Sequence, residues 1–408
     1  MSETINARVQ SGFDQRIKDN ALMRRARASR QAGLFPYNKP QKPASLNEAA
    51  VDGEVLLQLG SSNYLGLAQD PRVQEAVIDA VRANGTSCTS SRLLSGTRPL
   101  HHELEEELAD FFGKEAAVAF TTGYLANIGT IPALVGRHDL AVYDAEVHAC
   151  IIDGMRLSGA DCLKFSHNDA DDLDRQLGRR EAERKLIIID SIYSMNGDVA
   201  PLREIIPVAE RHHAWIFLDD AHGAGVLGPG GRGLAHQMGV ENNVPIIMGV
   251  FSKAFASTGG FVAGSSDLVD FLRLSARSYV FSNAIAPAQA AATLAALRIL
   301  KQEPERARRA IENAAKARTM LRQQGWTCTG DGTHMLSVFI GDDDLALKAA
   351  KTLIRHGVWV SPAVSPAVPF GKAVLRTNFP PTLTEKQFGF AMDAFEKARR
   401  DLFGSVAG

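Results

Sequence analysis

Apolar residues in this chain follow two rhythms. Over Pro71–Asn84 and 102–112 they return every three or four positions, with Leu104, Leu108 and Phe111 on one face, which predicts helices. Between such stretches lie short runs of β-branched and aromatic residues at Ala116–Phe120, 140–143, 186–189, 215–218, Ile246–Val250 and 261–263. Their length suits strands, and the absence of polar alternation suits strands buried on both faces. Strands separated by helical stretches predict an α/β fold with a mostly parallel sheet, because parallel neighbours need crossover connections.

The ends of the chain read differently. Residues 7–32 are predicted helical and carry Arg16, Lys18, Arg24, Arg25, Arg27 and Arg30; Gly33 and Pro36 end the pattern. Two readings of this helix stand side by side. It is a solvated helix packed on the body by Phe13, Ile17, Leu22 and Met23, or a basic lip that meets an anionic substrate. A linker rich in Pro, Lys and Asn leads to a short strand at 55–59. Residues 286–323, rich in Ala and Arg, read as helical, with Pro287 near the start where proline is tolerated. Strands at 335–340 and 359–360 and helices at 345–355 and 384–402 follow. The expected division is an N-terminal arm and helix over 1–58, a large domain over 59–290 and a small α+β domain over 291–408.

Composition narrows the function classes. Hydrophobic residues make up 45% of the 408 positions, enough for a core, so disorder is excluded as the main state. The 45 Lys and Arg balance 46 Asp and Glu, so no global basic field favours nucleic acid. Cys88, Cys150, Cys162 and Cys328 show neither CxxC nor zinc-like spacing, and no metal is expected. The polar start MSETINARVQ lacks the apolar stretch of a signal peptide, and no apolar run reaches the roughly eighteen residues of a membrane span. A cytoplasmic protein is expected.

Chemistry gathers where the strands stop. In an open α/β sheet, ligands bind beyond the carboxyl ends of the strands. The run 186–189 delivers Asp190 and then Ser191 to Ser194; 215–218 delivers Asp219, Asp220 and His222; Ile246–Val250 delivers Ser252 and Lys253. A lysine after a buried strand, followed by Ala254, Phe255 and Ala256, sits where its pKa falls and it serves as an amine nucleophile. Acid, histidine and lysine at successive strand ends suit pyridoxal 5′-phosphate (PLP), with an aspartate beside the pyridine nitrogen. Thr122-Gly123-Tyr124 follows a strand and opens a helix, which suits a phosphate. His148, also after a strand, offers a flat face for the ring.

The chain resembles the α-oxoamine synthases, a family of fold-type I PLP enzymes. The resemblance rests on SNYLGL (62–67), SSRLLSGTRPLHHELE (90–105), TTGYLAN (121–127), HACIIDG (148–154), SIYSMNGD (191–198), LDDAHGAGVLGPGGRG (218–233), FSKAFASTGGF (251–261) and FSNAIAP (281–287). It implies a mostly parallel seven-stranded sheet with a smaller C-terminal α+β domain, and a homodimer with shared active sites. It assigns Lys253 as the Schiff-base lysine, Asp219 as the partner of the pyridinium nitrogen and His222 as donor to the cofactor's phenolic oxygen. His148 is the stacking histidine, and His148 or His222 is the acid, with His148 preferred. Gly123, Tyr124 and Ser252 hold the phosphate, and Ser282 reaches the neighbouring subunit's phosphate. Ser194 lies near the phenolic oxygen, and Asn63 and Arg376 hold the amino-acid carboxylate, a task that suits a guanidinium.

The implied reaction joins a small amino acid to an acyl-CoA, with loss of CoA and CO2, to give an α-aminoketone. A serine palmitoyltransferase-like or other long- or medium-chain variant is favoured by the segment Gly33-Leu34-Phe35-Pro36-Tyr37, whose other reading is packing near a dimer interface. Leu93 and Leu94 read as channel lining or as core. Two departures stand out. Many members have a phosphate-binding threonine where this chain has Val250, so one phosphate contact is lost or is supplied elsewhere, by Thr258 or Ser257. Asp220 replaces a common glutamate. The alternatives are another PLP chemistry on the same fold, an aldolase or aminotransferase, and a non-catalytic subunit, against which Lys253 speaks.

Overall fold

The computed structural model describes residues 12–404. Three short strands come first: β1 (Lys42–Pro43), β2 (Glu48–Val51) and β3 (Glu54–Gln58), paired antiparallel in that order. The large sheet follows, from β4 (Ala116–Phe120), β5 (Leu140–Asp144), β6 (Asp161–Phe165), β7 (Lys185–Asp190), β8 (Ala214–Asp219), β9 (Ile246–Val250) and β10 (Gly260–Gly264), in the order β4-β10-β9-β8-β7-β5-β6. Only β10 runs antiparallel to its neighbours. Successive side chains of a strand face opposite ways, and here each face has its own core. Ile187 and Ile189 join one core and Leu186 and Ile188 the other. That two-sided burial is why the central strands read as unbroken apolar runs. The seventh strand, β6, escaped the hydrophobic pattern because it is an edge strand with alternating burial, Asp161 and Lys164 interrupting Cys162, Leu163 and Phe165.

The C-terminal sheet is antiparallel. It contains β11 (Thr327–Thr329), β12 (Leu336–Gly341), β14 (Ser361–Ala363) and β15 (Ala373–Thr377) in the order β11-β12-β15-β14, while β13 (Val358–Trp359) pairs in parallel with β3. Leu57 and Leu59 are buried in the C-terminal core with Leu336, Val338 and Leu375. The chain following β3 therefore starts inside the small domain before it enters the large one.

Two long helical expectations are corrected. Residues 286–323 form two helices, Pro287–Gln302 and Glu305–Gln323, broken at Glu303-Pro304, where the proline ring removes a donor and blocks the preceding turn. The second helix bridges both cores, with Ala307 and Ala310 in the large one and Ala317 and Leu321 in the small one. Near the start, residues 12–18 and Ala21–Gln31 are separate helices, and the Asn20 side chain caps the second by accepting from Leu22 N at 2.9 Å. Residues 7–11 of that expectation lie outside the described residues. Phe13 (63% exposed), Ile17 and Leu22 do not pack on the body; Met23, Ala26 and Ser29, three residues apart, are the partly covered positions. Among the described residues no helix is long and apolar enough to cross a membrane.

Candidate active site

Parallel strands bring their carboxyl ends to one edge, and three of them end on aspartate: Asp144 on β5, Asp190 on β7 and Asp219 on β8. The turn after β8 carries His222, which is buried, and the turn after β9 carries Ser252 and Lys253. His148 caps the start of helix Ala149–Ser158, its Nδ1 facing Cys150 N at 3.3 Å. Lys253, His148 and His222 all respond to one another's charge or to that of Asp219 and Arg376. The structure therefore brings Lys253, Asp219, His222, His148 and Arg376 into one site.

The electrostatics favour amine chemistry. Burial pushes the Lys253 ammonium down to about 8; Asp219 pulls the other way, and the Arg376 cation adds to the fall. Its nucleophilic form is thus populated near neutral pH. Burial, then Lys253 and Arg376, push His222 well below the usual histidine value, so it is a neutral imidazole. Burial also lowers His148, with Asp219 opposing. The Asp219 carboxylate is fixed by two donors, Asn127 Nδ2 at 2.7 Å and Ala221 N at 3.0 Å.

Helix Gly123–Leu134 begins against Val250 at the end of β9, the strand whose following turn carries Lys253. Thr122 caps it by accepting from Leu125 N at 3.0 Å, and its first-turn N–H groups have no partner within the helix. Glycine is required there: a Cβ on Gly123 would lie 2.2 Å from Val250 Cγ1, and one on Gly260 would lie 2.6 Å from Gly123 Cα. Val250 accordingly packs under the helix start. Of its two expected substitutes, Ser257 donates its hydroxyl to the Gln289 carbonyl at 2.8 Å, while Thr258 is exposed.

The C-terminal sheet closes the site. Arg376 lies on β15, in register with Ser337 of β12 and Ser361 of β14. Asn63 follows β3; its side chain accepts from Ala68 N at 3.2 Å and its carbonyl from Asn378 Nδ2 at 3.2 Å, which ties this turn to the end of β15. Ser194 is half-buried in the turn after β7. That turn is clamped by His167, which bonds Asp144 at 2.8 Å and Asp198 at 2.5 Å; burial opposes its charge, but the two carboxylates raise it to about 10. Ser252 is exposed, and half-buried Ser282 lies beside Phe281, which is 74% exposed. The Tyr124 hydroxyl donates to Asp153, so its side chain is engaged away from the turn.

Sequence reasoning missed four residues of this site. Asn127 closes the motif TTGYLAN and Tyr64 lies inside SNYLGL, so both were in view without a role. Asp190 was read only as a strand end, yet it is buried with an unpartnered oxygen. His334 carried no signal; it is buried with both ring nitrogens unpartnered and packs on Tyr64.

Beside Arg376 opens a cleft of about 1280 Å³ between the N-terminal helix and the C-terminal sheet. Leu22, Leu34, Phe35, Ala363 and Phe370 line it, with Met195 from the turn after β7. Leu34, Phe35 and Tyr37 therefore face this cleft, and Tyr37 donates to the Pro362 carbonyl at 3.2 Å. Leu93 and Leu94 are exposed, Leu94 by 80%, so they are not core, and neither lines this cleft.

Pyridoxal phosphate fits this set of groups. A depressed lysine amine, a buried carboxylate held by two donors, a neutral imidazole and a helix start with free N–H groups match its aldehyde, ring nitrogen, phenolic oxygen and phosphate. The profile of the family "Aminotransferase class I and II" matches residues 54–395. A serine palmitoyltransferase of Sphingobacterium spiritivorum is 41% identical over 88% of this chain and 91% of its own. An 8-amino-7-oxononanoate synthase of Symbiobacterium thermophilum is 40% identical over 91% of this chain and 96% of its own. A solved serine palmitoyltransferase holding PLP as an internal aldimine superposes with a TM-score of 0.91 at 33% identity, covering 95% of this chain and 98% of that one. The chain belongs to the aminotransferase class I and II family and is a PLP-dependent enzyme of its α-oxoamine synthase group.

Proposed function

We propose that this enzyme condenses a small amino acid with an acyl-CoA, releasing CoA and CO2 and forming an α-aminoketone, with a long or medium acyl chain as in serine palmitoyltransferase. The observation that carries it is the double position of Arg376. It faces the Lys253 and His222 centre and also lines the apolar cleft. Amino-acid carboxylate and acyl chain therefore meet at one residue. The cleft is larger than the few hundred to about 1,000 Å³ of an ordinary small-molecule pocket, which suits a long thioester.

When bound, PLP supplies an electron sink for negative charge at the amino-acid α-carbon. Lys253 would hold the cofactor through its amine, and its free amine would then serve as the base for the α-proton. Asp219, held by Asn127 and Ala221, partners the ring nitrogen. His222 donates to the phenolic oxygen, with Ser194 beside it. The backbone of Gly123 and Tyr124, with Ser252 and Thr258, receives the phosphate. His148 would pack against the cofactor and serve as acid, and Arg376 with Asn63 would hold and orient the amino-acid carboxylate. We also propose a homodimer with shared sites, supported by exposed Ser252, Phe281 and Leu94 and by the role read for Ser282. The four unpaired cysteines support a cytoplasmic setting.

The test is thiol release with glycine, L-alanine and L-serine against acyl-CoAs of increasing length. CoA release that grows with chain length is expected. Transamination with no thiol from any pair would replace this reading by another PLP chemistry.

A further inference from the structure

Tyr64 is fully enclosed, and its hydroxyl lies 2.7 Å from His222 Nδ1. Burial raises its pKa, so it remains a phenol with one hydrogen to give. Among the described residues, His222 Nδ1 is the one hydrogen-bond partner of that hydroxyl, and the Arg376 charge acts on it from further away. The phenol has one hydrogen and one acceptor within reach, so that hydrogen goes to His222 Nδ1. A neutral imidazole carries one hydrogen; when Nδ1 accepts, Nε2 must hold it. His334 backs the arrangement: its ring meets the Tyr64 ring edge-on at 4.3 Å, and burial, with Lys253 and Arg376, pushes it down to about 3, so it adds no charge.

We propose that Tyr64 is a positioning residue that fixes His222 as the Nε2–H tautomer. The proposal rests on the reading above only for what His222 Nε2 faces. Losing the Tyr64 hydroxyl frees the imidazole to adopt either tautomer, and only one of them presents a donor to an oxygen.

The test is nitrogen-15 NMR of histidine-labelled full-length chain, with and without PLP, the His222 signals being identified by their loss in His222→Asn. The expected result is Nε2–H in the wild type and mixed tautomers in Tyr64→Phe. The pH titration of the loaded enzyme's visible band should also shift in Tyr64→Phe, and kcat should fall roughly tenfold, the scale of one hydrogen bond. Wild-type His222 protonated at Nδ1 overturns the proposal, whether or not Tyr64→Phe folds. So does Tyr64→Phe with an unchanged tautomer and titration. Failure of CoA release with the expected tautomer would sink the condensation reading and leave this one standing.

Discussion

Asp190 and Asp219 end neighbouring parallel strands directly opposite one another. Two carboxylates one strand spacing apart, about 4.8 Å, do not both ionise readily when buried. Burial, with the charge of Asp219, raises Asp190 well above the usual carboxylate range, and one of its oxygens has no partner. The donors Asn127 and Ala221 instead serve Asp219. Asp190 is therefore the proton-holding member. Asp190→Asn should keep PLP affinity close to wild type, whereas Asp219→Asn should weaken it by more than about tenfold, the scale of a lost charge-assisted bond. Cofactor titration by fluorescence quenching checks both.

Lys253 gives a pH dependence. Its ammonium is lowered to about 8, chiefly by burial, so the free amine grows as pH rises through that value. PLP uptake by the cofactor-free chain should accelerate between pH 7 and about 9 and then level off. A stopped-flow record of the visible band measures it, and a rate that is flat across this window would remove the assignment.

Asp220, given no consequence from sequence, acquires one from its burial. Its carboxyl is raised to about 7, mainly by desolvation, while one oxygen accepts from Leu234 N at 3.1 Å. The folded state keeps this proton where the unfolded chain, with a carboxyl near 3.9, has released it. Its contribution to stability is complete below about pH 4 and is lost as pH rises through about 7. The wild-type melting temperature should therefore fall from pH 5 to 8 by more than that of Asp220→Asn.

The cleft makes a claim about size. Ala363 lies on its wall. Ala363→Phe should cut turnover of the longest acyl-CoA roughly tenfold while sparing short ones, because a few methylenes account for 1–3 kcal/mol of discrimination. Equal loss at every chain length would mean that the acyl chain lies elsewhere.

How much of this was legible in the sequence depended on how local the signal was. The strands β5, β7, β8 and β9 showed themselves because both faces are buried, and their polar ends marked Asp219, His222 and Lys253 within a few residues. β6 hid because an edge strand keeps one face polar. Arg376 needed the family resemblance, since nothing in the sequence around β15 says that β12 and β14 flank it or that it meets a lysine 123 positions earlier. Tyr64 and His334 depend on two chain segments closing over one another, a relationship that no periodicity records. The break at Pro304 was readable from the proline rule; the Ala-rich flanks masked it.

The central claim is that bond formation and carboxylate loss occur in one turnover. Carboxyl-labelled amino acid and a long acyl-CoA, followed together, measure it most directly. Labelled CO2 and free thiol should appear in equal amounts with the wild type and neither with Lys253→Ala. Thiol without labelled CO2, or activity that persists in Lys253→Ala, would contradict the account.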